Sequence, residues 1–417
     1  MKLVQIIREV FIVTLVTAGS LSGYGANIDD VDIMATLIRQ PMEQLPIELY
    51  KEEGTLLFSD SPEYAKGSGI LYSDQVTGKN RMFFYHVNER AIDQKIVVMA
   101  YNPKPTDVMV LLSNMAYGDP SERYFKVGKT VSRNYFTGSP NRSVTVPAYG
   151  YAMLDDGLNK IAIKPHELMS GSVDIELPSK MFVSSVIMPY NADPYLFMMG
   201  VNVMKSDASH LRGTYHGMNR WMTAMKSYDT AGGIGYIRLA DGDSDSFLIG
   251  MDALEQRKTS DRGNYGVDYT VEVATVGTGN INLYLNTEGG AYAGVMEITA
   301  AGKTTLASVP RQNGTDFGSD YIGDQNAYGM EYLATVPAGR LVTLHFSPPG
   351  ASNLPVRIIM ASDKAIQAVA KIVKDNEANL AIQTAMTEKT IATINSTANT
   401  AKNDTLGIHD RIAKILR

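Results

Sequence analysis

Ile366, Ala370, Val373, Glu377, Leu380, Thr384, Thr387, Ile391, Ile394, Ala398, Ala401, Thr405, Ile408, Ile412 and Ile415 follow one another in alternating steps of four and three, with no phase break. That spacing lays them along one stripe of a helix, the seam of a heptad repeat. A helix over 362–417, at about 1.5 Å per residue, reaches roughly 75 Å, longer than the head it would have to cover. The stripe is therefore expected to meet partner helices in two or three parallel copies. The contact residues would be Ile366, Val373, Leu380, Ile391, Ile394, Ile408, Ile412 and Ile415. Isoleucine at both kinds of seam position leans towards more than two strands. Glu377, the seam threonines and the small Ala370, Ala398 and Ala401 weaken the stripe, and Asn403-Asp404 followed by Gly407 reads as a helix break. A helix folded back on its own head is the alternative left open.

Upstream of the helix the chain is strand-patterned. Runs such as 55–58, 81–87, 95–101, 181–188, 269–276, 281–285, 331–336 and 341–346 are separated by glycine-rich and Asp-Gly turns. Val108, Val110 and Leu112 alternate with apolar Met109 and Leu111, which predicts a strand buried on both faces and hence a sandwich interior. The same three match Ile281, Leu283 and Leu285, and Thr145-Val146-Pro147-Ala148 recurs as Thr335-Val336-Pro337-Ala338, pointing to a duplication. The expected fold is mainly β: two tandem antiparallel β-sandwich domains, 54–205 and 206–361, followed by the long C-terminal α-helix. Residues 26–53 read as a peripheral approach segment with a short helix over Val31 to Leu37.

Residues 1–25 have the order of a secretory leader: Lys2 and Arg8, the apolar run Val10 to Val16, then small residues up to Ala26. The run is too short to span a bilayer, and no later segment is apolar enough to do so. The expected location is extracellular or at the cell surface. With no cysteine in 417 residues, disulfides, thiolate metal sites and cysteine nucleophiles are excluded. A formal charge of −6, scattered and without a basic stripe, gives no electrostatic case for nucleic acid.

One carboxylate pattern suggests an ion. Asp241, Asp243 and Asp245 alternate, and Asp252 falls at the twelfth position counted from Asp241, the ligand spacing of a calcium loop. Ser246 stands where such a loop wants glycine, and a solvated acidic turn is the competing reading. No other cofactor is implied. His210 and His216 lie on one face of a strand but about 20 Å apart at roughly 3.3 Å per residue, too far to share an ion. His86, in an apolar strand, reads as a hydrogen-bonded sheet histidine. Trp221, the sole tryptophan, could line a sugar-stacking face with Tyr215 and Tyr228 or anchor the second core. No nucleophile elbow, phosphate loop or dinucleotide fingerprint is present.

Several phrases together resemble a module of secreted Gram-positive bacterial proteins, often found beside copper amine oxidase N-terminal-like domains. They are Gly54-Thr55-Leu56-Leu57-Phe58-Ser59-Asp60-Ser61-Pro62-Glu63, Gly69-Ile70-Leu71-Tyr72, Arg81 with Tyr85-His86-Val87-Asn88, and His210 with Arg212-Gly213-Thr214. Gly263-Asn264-Tyr265-Gly266-Val267 and Ser352-Asn353-Leu354-Pro355-Val356 complete the set. The resemblance spans about residues 50–360 and implies extracytoplasmic placement and a non-catalytic, wall-associated or binding role. The amine oxidase-like domain, the three copper-binding histidines and the modified tyrosine motif of the true oxidases are absent, so no catalytic residue carries over. Two functional classes follow: a structural or adhesive surface protein with a β-sandwich head on a self-associating tail, and a protein that binds or acts on carbohydrate, with wall or surface glycan as partner.

Overall fold

A computed structural model describes residues 28–311, 320–323 and 329–415, with side chains as far as 393. The leader expected over 1–25 lies outside the described residues. Asp30 caps the first helix, its carboxylate accepting the N–H groups of Asp32 and Ile33 at 2.9 and 3.3 Å. That helix, α1 (Val31–Leu37), has the expected span. It is not peripheral, because Ile33, Met34 and Leu37 are buried.

The chain then runs through β1 (Glu43–Gln44), β2 (Ile47–Ser59), β3 (Tyr64–Ala65), β4 (Gly69–Asn88), β5 (Gln94–Tyr101), β6 (Val108–Tyr117), α2 (Tyr124–Thr137), β7 (Arg142–Val146), β8 (Tyr151–Met153), β9 (Leu168–Pro189) and α3 (Pro194–Met198). β4 and β9 pair from Gly69↔Ile187 to Val87↔Leu168, with a register shift at Val76/Gly78 that divides each into two spans. Gly78 takes φ 74 there, a conformation glycine adopts without a Cβ penalty. On one span β9 pairs with β5, and β5 with β8; on the other β9 pairs with β6, and β6 with β7. Leu71, Ile96 and Val98 from the first ladder join Met82, Phe84, Val110 and Val173 from the second in one apolar cluster.

The second half contributes β10 (Arg212–Ala224), β11 (Tyr228–Asp229), β12 (Ile234–Leu239), β13 (Leu248–Asp252), β14 (Arg257–Asp261), β15 (Asp268–Val276), β16 (Asn280–Thr287), β17 (Gly294–Ala300), β18 (Lys303–Val309), β19 (Met330–Pro337), β20 (Leu341–Phe346), β21 (Val356–Ser362) and finally α4 (Asp363–Ile415). Its ladders run β12-β21-β16-β19 and β15-β20-β17-β18, antiparallel throughout. Ile237, Leu283 and Ile358 from one meet Val271, Ile298 and Leu344 from the other in a second cluster. In each of the four ladders the first strand in chain order pairs with the last, the last with the second, and the second with the third.

The halves share hydrogen bonds. β2 pairs parallel with β4 and antiparallel with β10, and β10 pairs parallel with β15, making the sheet continuous across the middle of the chain. The expected boundary at 53/54 therefore falls inside β2, a strand held between the two halves. Neighbouring residues on β2 and β4 serve different cores: Leu57, Met82 and Phe84 belong to the first cluster, Phe58, Phe83 and Tyr85 to the second.

β6 corrects another expectation. Val110 and Leu112 are buried, but Met109 is 67% exposed and Leu111 borders on exposed, so only one face is covered. The matched phrases occupy equal places in two ladders, with Val108 opposite Val146 and Ile281 opposite Val336. In chain order, however, the first-half counterparts of β16 and β19 are β5 and β8.

α4 is continuous through Asn403-Asp404 and Gly407, where a break was expected. Ile366 and Val369 are buried against Ile33, Met34 and Leu37 of α1 and against Tyr284, Ile359 and Ala361, and Val373 sits at the edge of that cluster. Ile366 is thus a core residue of the head, not a contact for a partner helix. Beyond Val373 the helix leaves the head, with Leu380, Ile382, Met386 and Ile391 exposed. The side chains of Ile394, Ile408, Ile412 and Ile415 lie outside those described. Among the described residues no helix is long and apolar enough to cross a membrane.

Candidate functional site

The four carboxylates of the candidate calcium loop do not converge. Asp241 accepts the N–H groups of Asp243 and Asp245 and the Ser244 hydroxyl, which closes a turn on itself. Asp245 is buried and receives Arg220 Nη1, the Tyr269 hydroxyl and the Ala240 N–H at 2.7–2.8 Å. Asp252, fully buried, receives Arg212 Nε at 3.0 Å. Arg212 and Arg220 stand near opposite ends of β10, roughly 25 Å apart at about 3.3 Å per residue. Buried arginines hold the two carboxylates apart, and their charge is spent in those pairs. Among the described residues no group of three or more His, Asp or Glu is placed to hold a metal ion.

The candidate stacking face is also dispersed. Tyr215 and Tyr228 are core residues, 1% and 3% exposed, while Trp221 is half-buried under the Lys51 ammonium, 4.0 Å from its ring centre. The sequence could not separate these because a register shift between His216 and Asn219 breaks the alternation of β10. His86 is a sheet histidine: Nε2 meets the Ser59 hydroxyl and Nδ1 the Pro62 carbonyl, both at 2.8 Å. His216 is exposed on β10, whereas His210 lies before that strand begins.

A cavity of about 280 Å³ gathers residues from five separated segments. Phe58 and Asp60 come from the end of β2, Phe83 and Tyr85 from β4, His210 from the approach to β10, Tyr265 from the turn after β14, and Ser352 and Asn353 from the loop before β21. Each segment belongs to one of the phrases quoted above for the resemblance. Phe58 and Phe83 stack at 5.6 Å. Gly350 lets its loop lie on the Tyr85 ring, since an added Cβ would stand 2.6 Å from Tyr85 Cδ2. Tyr265 donates to the Ser352 carbonyl at 2.6 Å, pinning the opposite wall. Two grooves of about 590 and 650 Å³ adjoin the cavity through His210, and the larger one also reaches Asp60 and Asp261.

Carboxyl groups dominate the polar surface. Asp261 is 1% exposed; Oδ1 accepts the Tyr265 N–H at 3.0 Å, and Oδ2, shielded from solvent, has no protein partner. Asp60 Oδ1 is shielded and unpartnered in the same way. Burial pushes both carboxyls well above the usual range, and for Asp60 the negative charges of Glu63, Asp207 and Asp261 add to it. His210 is clamped, with Nε2 2.6 Å from Glu63 and Nδ1 3.0 Å from Asp207. Burial also raises Glu63, against the pull of His210. Burial works the same way on Asp207, but the N–H groups of His210, Glu63 and Ser209 and the His210 ring outweigh it and hold Asp207 low.

Such a site can stack an apolar body on its aromatic walls, with Asp60 and Glu63 among its lining residues and Asp261 on the adjoining outer groove. No Lys or Arg lines the inner cavity; Lys258 and Arg262 line only the outer groove. Asp60 and Asp261 carry no periodic or spacing signal, and only the fold brings them together. The chain matches no protein-family model and no curated protein.

Proposed function

We propose that this is an exported, non-catalytic structural protein of the cell surface or surroundings, whose β head is displayed on a self-associating helix. The head is read as two jelly rolls in tandem: all four ladders share one strand order, and the two ladders of each half enclose one apolar cluster. The observation that carries the functional reading is the departure of α4 from the head after Val373, which leaves Leu380 and Ile391 of the seam in water at 65% and 52% exposure. Threonine makes this stretch a weak helix on its own: Thr384, Thr387, Thr390 and Thr393 each bond back to the carbonyl four residues earlier. Partner helices would cover the stripe and stabilise the segment, and multivalent heads would gain avidity.

Light scattering of the full-length protein tests the assembly. A multiple of the chain mass that falls to one chain in Leu380→Asp/Ile391→Asp supports it, and a monomeric wild type overturns it. Export is tested at the N-terminus, where mass spectrometry of the native protein is expected to find a chain beginning near Ala26 in the extracellular fraction. Intact Met1 in the cytosol would refute it.

A second reading, carbohydrate binding, has one observation in its favour. Tyr151, Tyr101 and Phe182 stand side by side across β8, β5 and β9, with ring centres 4.8 and 6.3 Å apart and Tyr151 and Phe182 exposed. Co-sedimentation with insoluble cell-wall polysaccharide, lost in Tyr151→Ala/Phe182→Ala, would favour this reading. Retention of binding in that variant, or none in the wild type, removes it.

A further inference from the structure

We propose that the cleft between α2 and the end of β18 binds a diphosphate group, a function separate from assembly through α4. The cleft holds about 350 Å³, and its lining includes Arg123, Lys126, Lys129, Arg133, Pro310 and Asp320. At about 100° per residue, Lys126, Lys129 and Arg133 fall within about 60° of one another around the helix, and neighbours three or four residues apart stand about 5–6 Å from each other at Cβ. No run of basic residues marks them in the sequence, and the helical turn alone gathers them. The end of β18 then fixes two of the heads. Lys129 Nζ donates to the Pro310 carbonyl and Arg133 Nη2 to the Ser308 hydroxyl, both at 2.5 Å. Those anchors are two residues apart, about 7 Å along an extended chain.

The charge in the cleft is unbalanced, in a chain whose formal charge is −6. Arg123 forks onto Asp320, so that pair is neutral. Lys129 and Arg133 meet neutral oxygens, and Lys126 is exposed with no ion pair among the described residues. Lys129 is 8% exposed, and burial, with Arg133 beside it, holds its ammonium down to about 8 against the pull of Glu331 and Asp320. An anion entering the cleft would stabilise all three cations. One phosphate group, at about −1.5 to −2 near neutral pH, leaves more than one of them unmatched, and a second joined to it closes the balance. Phosphate oxygens suit both the guanidinium fork and the ammonium point charges. A long polyanion fits less well, because α2 carries no further cation between Arg133 and its end at Thr137. The volume lies at the small end for ligand sites, which also favours a compact group. The diphosphate could be free pyrophosphate or the terminus of an ester, and the chemistry at the three cations is the same.

Titration calorimetry without divalent cations, using sodium pyrophosphate, adenosine 5′-diphosphate, orthophosphate and citrate, separates the cases. Saturable binding of pyrophosphate, about tenfold or more tighter than orthophosphate or citrate, supports the site. Comparison with adenosine diphosphate then assigns the source, equal affinity pointing to an ester and weaker affinity to the free ion. Lys126→Ala and Arg133→Gln are each expected to weaken binding about tenfold or more, while Lys180→Ala, exposed in the first half, leaves it unchanged. If Arg133→Gln fails to fold, the exposed Lys126→Ala and the broadening of the phosphorus NMR lines of pyrophosphate and orthophosphate by the wild type give the same comparison. Equal affinity for orthophosphate or citrate, binding of adenosine diphosphate alone, binding unchanged in Lys126→Ala, equal weakening in Lys180→Ala, or no saturation by pyrophosphate in the millimolar range overturns the proposal.

Discussion

His86 and Asp261 respond to pH in opposite senses. Burial, with Arg212 adding to it, holds the imidazole down to about 4 from an ordinary 6.5, so the folded chain keeps it neutral while the unfolded chain takes up a proton. The stability it contributes is complete above about pH 6.5 and is lost as the pH falls towards about 4, on the order of 3 kcal/mol in all. Urea unfolding across this range should show a steeper loss in the wild type than in His86→Gln; parallel curves would refute it. The Asp261 carboxyl is raised, so its cost is absent at low pH and grows once the pH passes the ordinary 3.8. Asp261→Asn is therefore expected to gain stability over the wild type as pH rises, a trend visible in melting temperature. Neither residue announced its role equally in the sequence. A histidine in an apolar strand has few options, so His86 could be placed; an aspartate at the end of a polar strand has many, and Asp261 could not.

At the scale of the element, α4 does two jobs divided near Val373. Its first turns complete the head, so Ile366→Ala is expected to cost about 2–5 kcal/mol, whereas Leu380→Asp in the full-length chain should leave the unfolding transition of the head unchanged. Removal of 363–417 would take the buried Ile366 and Val369 with it, and a truncation meant to leave the head folded has to begin beyond Val373. Circular dichroism melts of the two truncations distinguish these cases: equal stability would contradict the division. The unbroken period made the helix legible. Where it leaves the head was not, because the same spacing serves α1 at one end and solvent at the other. At about 100° per residue, Ile382 and Met386 lie roughly 200° and 240° around from Leu380, giving the exposed stretch apolar residues on two sides. Coverage from both sides is what a bundle of more than two helices provides.

For the whole molecule, Arg81 and α2 bind the halves together. The Arg81 guanidinium meets Asp174 at 2.6 and 2.8 Å, the carbonyls of Met218 and Gly266, and the Tyr135 hydroxyl, which donates onward to Asp268. Arg81→Met would leave buried carboxylates without their cation and is expected to cost about 3–5 kcal/mol in urea unfolding. A loss below about 1 kcal/mol would show the network to be dispensable. Gly128 of α2 touches the Gly350 backbone so closely that an added Cβ would stand 2.0 Å from its carbonyl oxygen. Gly128→Ala should cost about 1–3 kcal/mol through displacement of α2. Strand-rich character was readable from alternation and turns. The joining of the halves was not, since alternation in 47–59 says which face is apolar but not which strands lie on either side.

β2 lies between β4 and β10, and this has a consequence for synthesis. Its partner β10 lies about 150 residues downstream, so at ribosomal rates of about 5–20 residues per second the free edge of β2 waits roughly 8–30 seconds. An open edge is a template for any strand with the right pattern. During that interval the β10 of a neighbouring nascent chain can occupy it, and exchange of this strand between chains is the characteristic misassembly to expect at high expression.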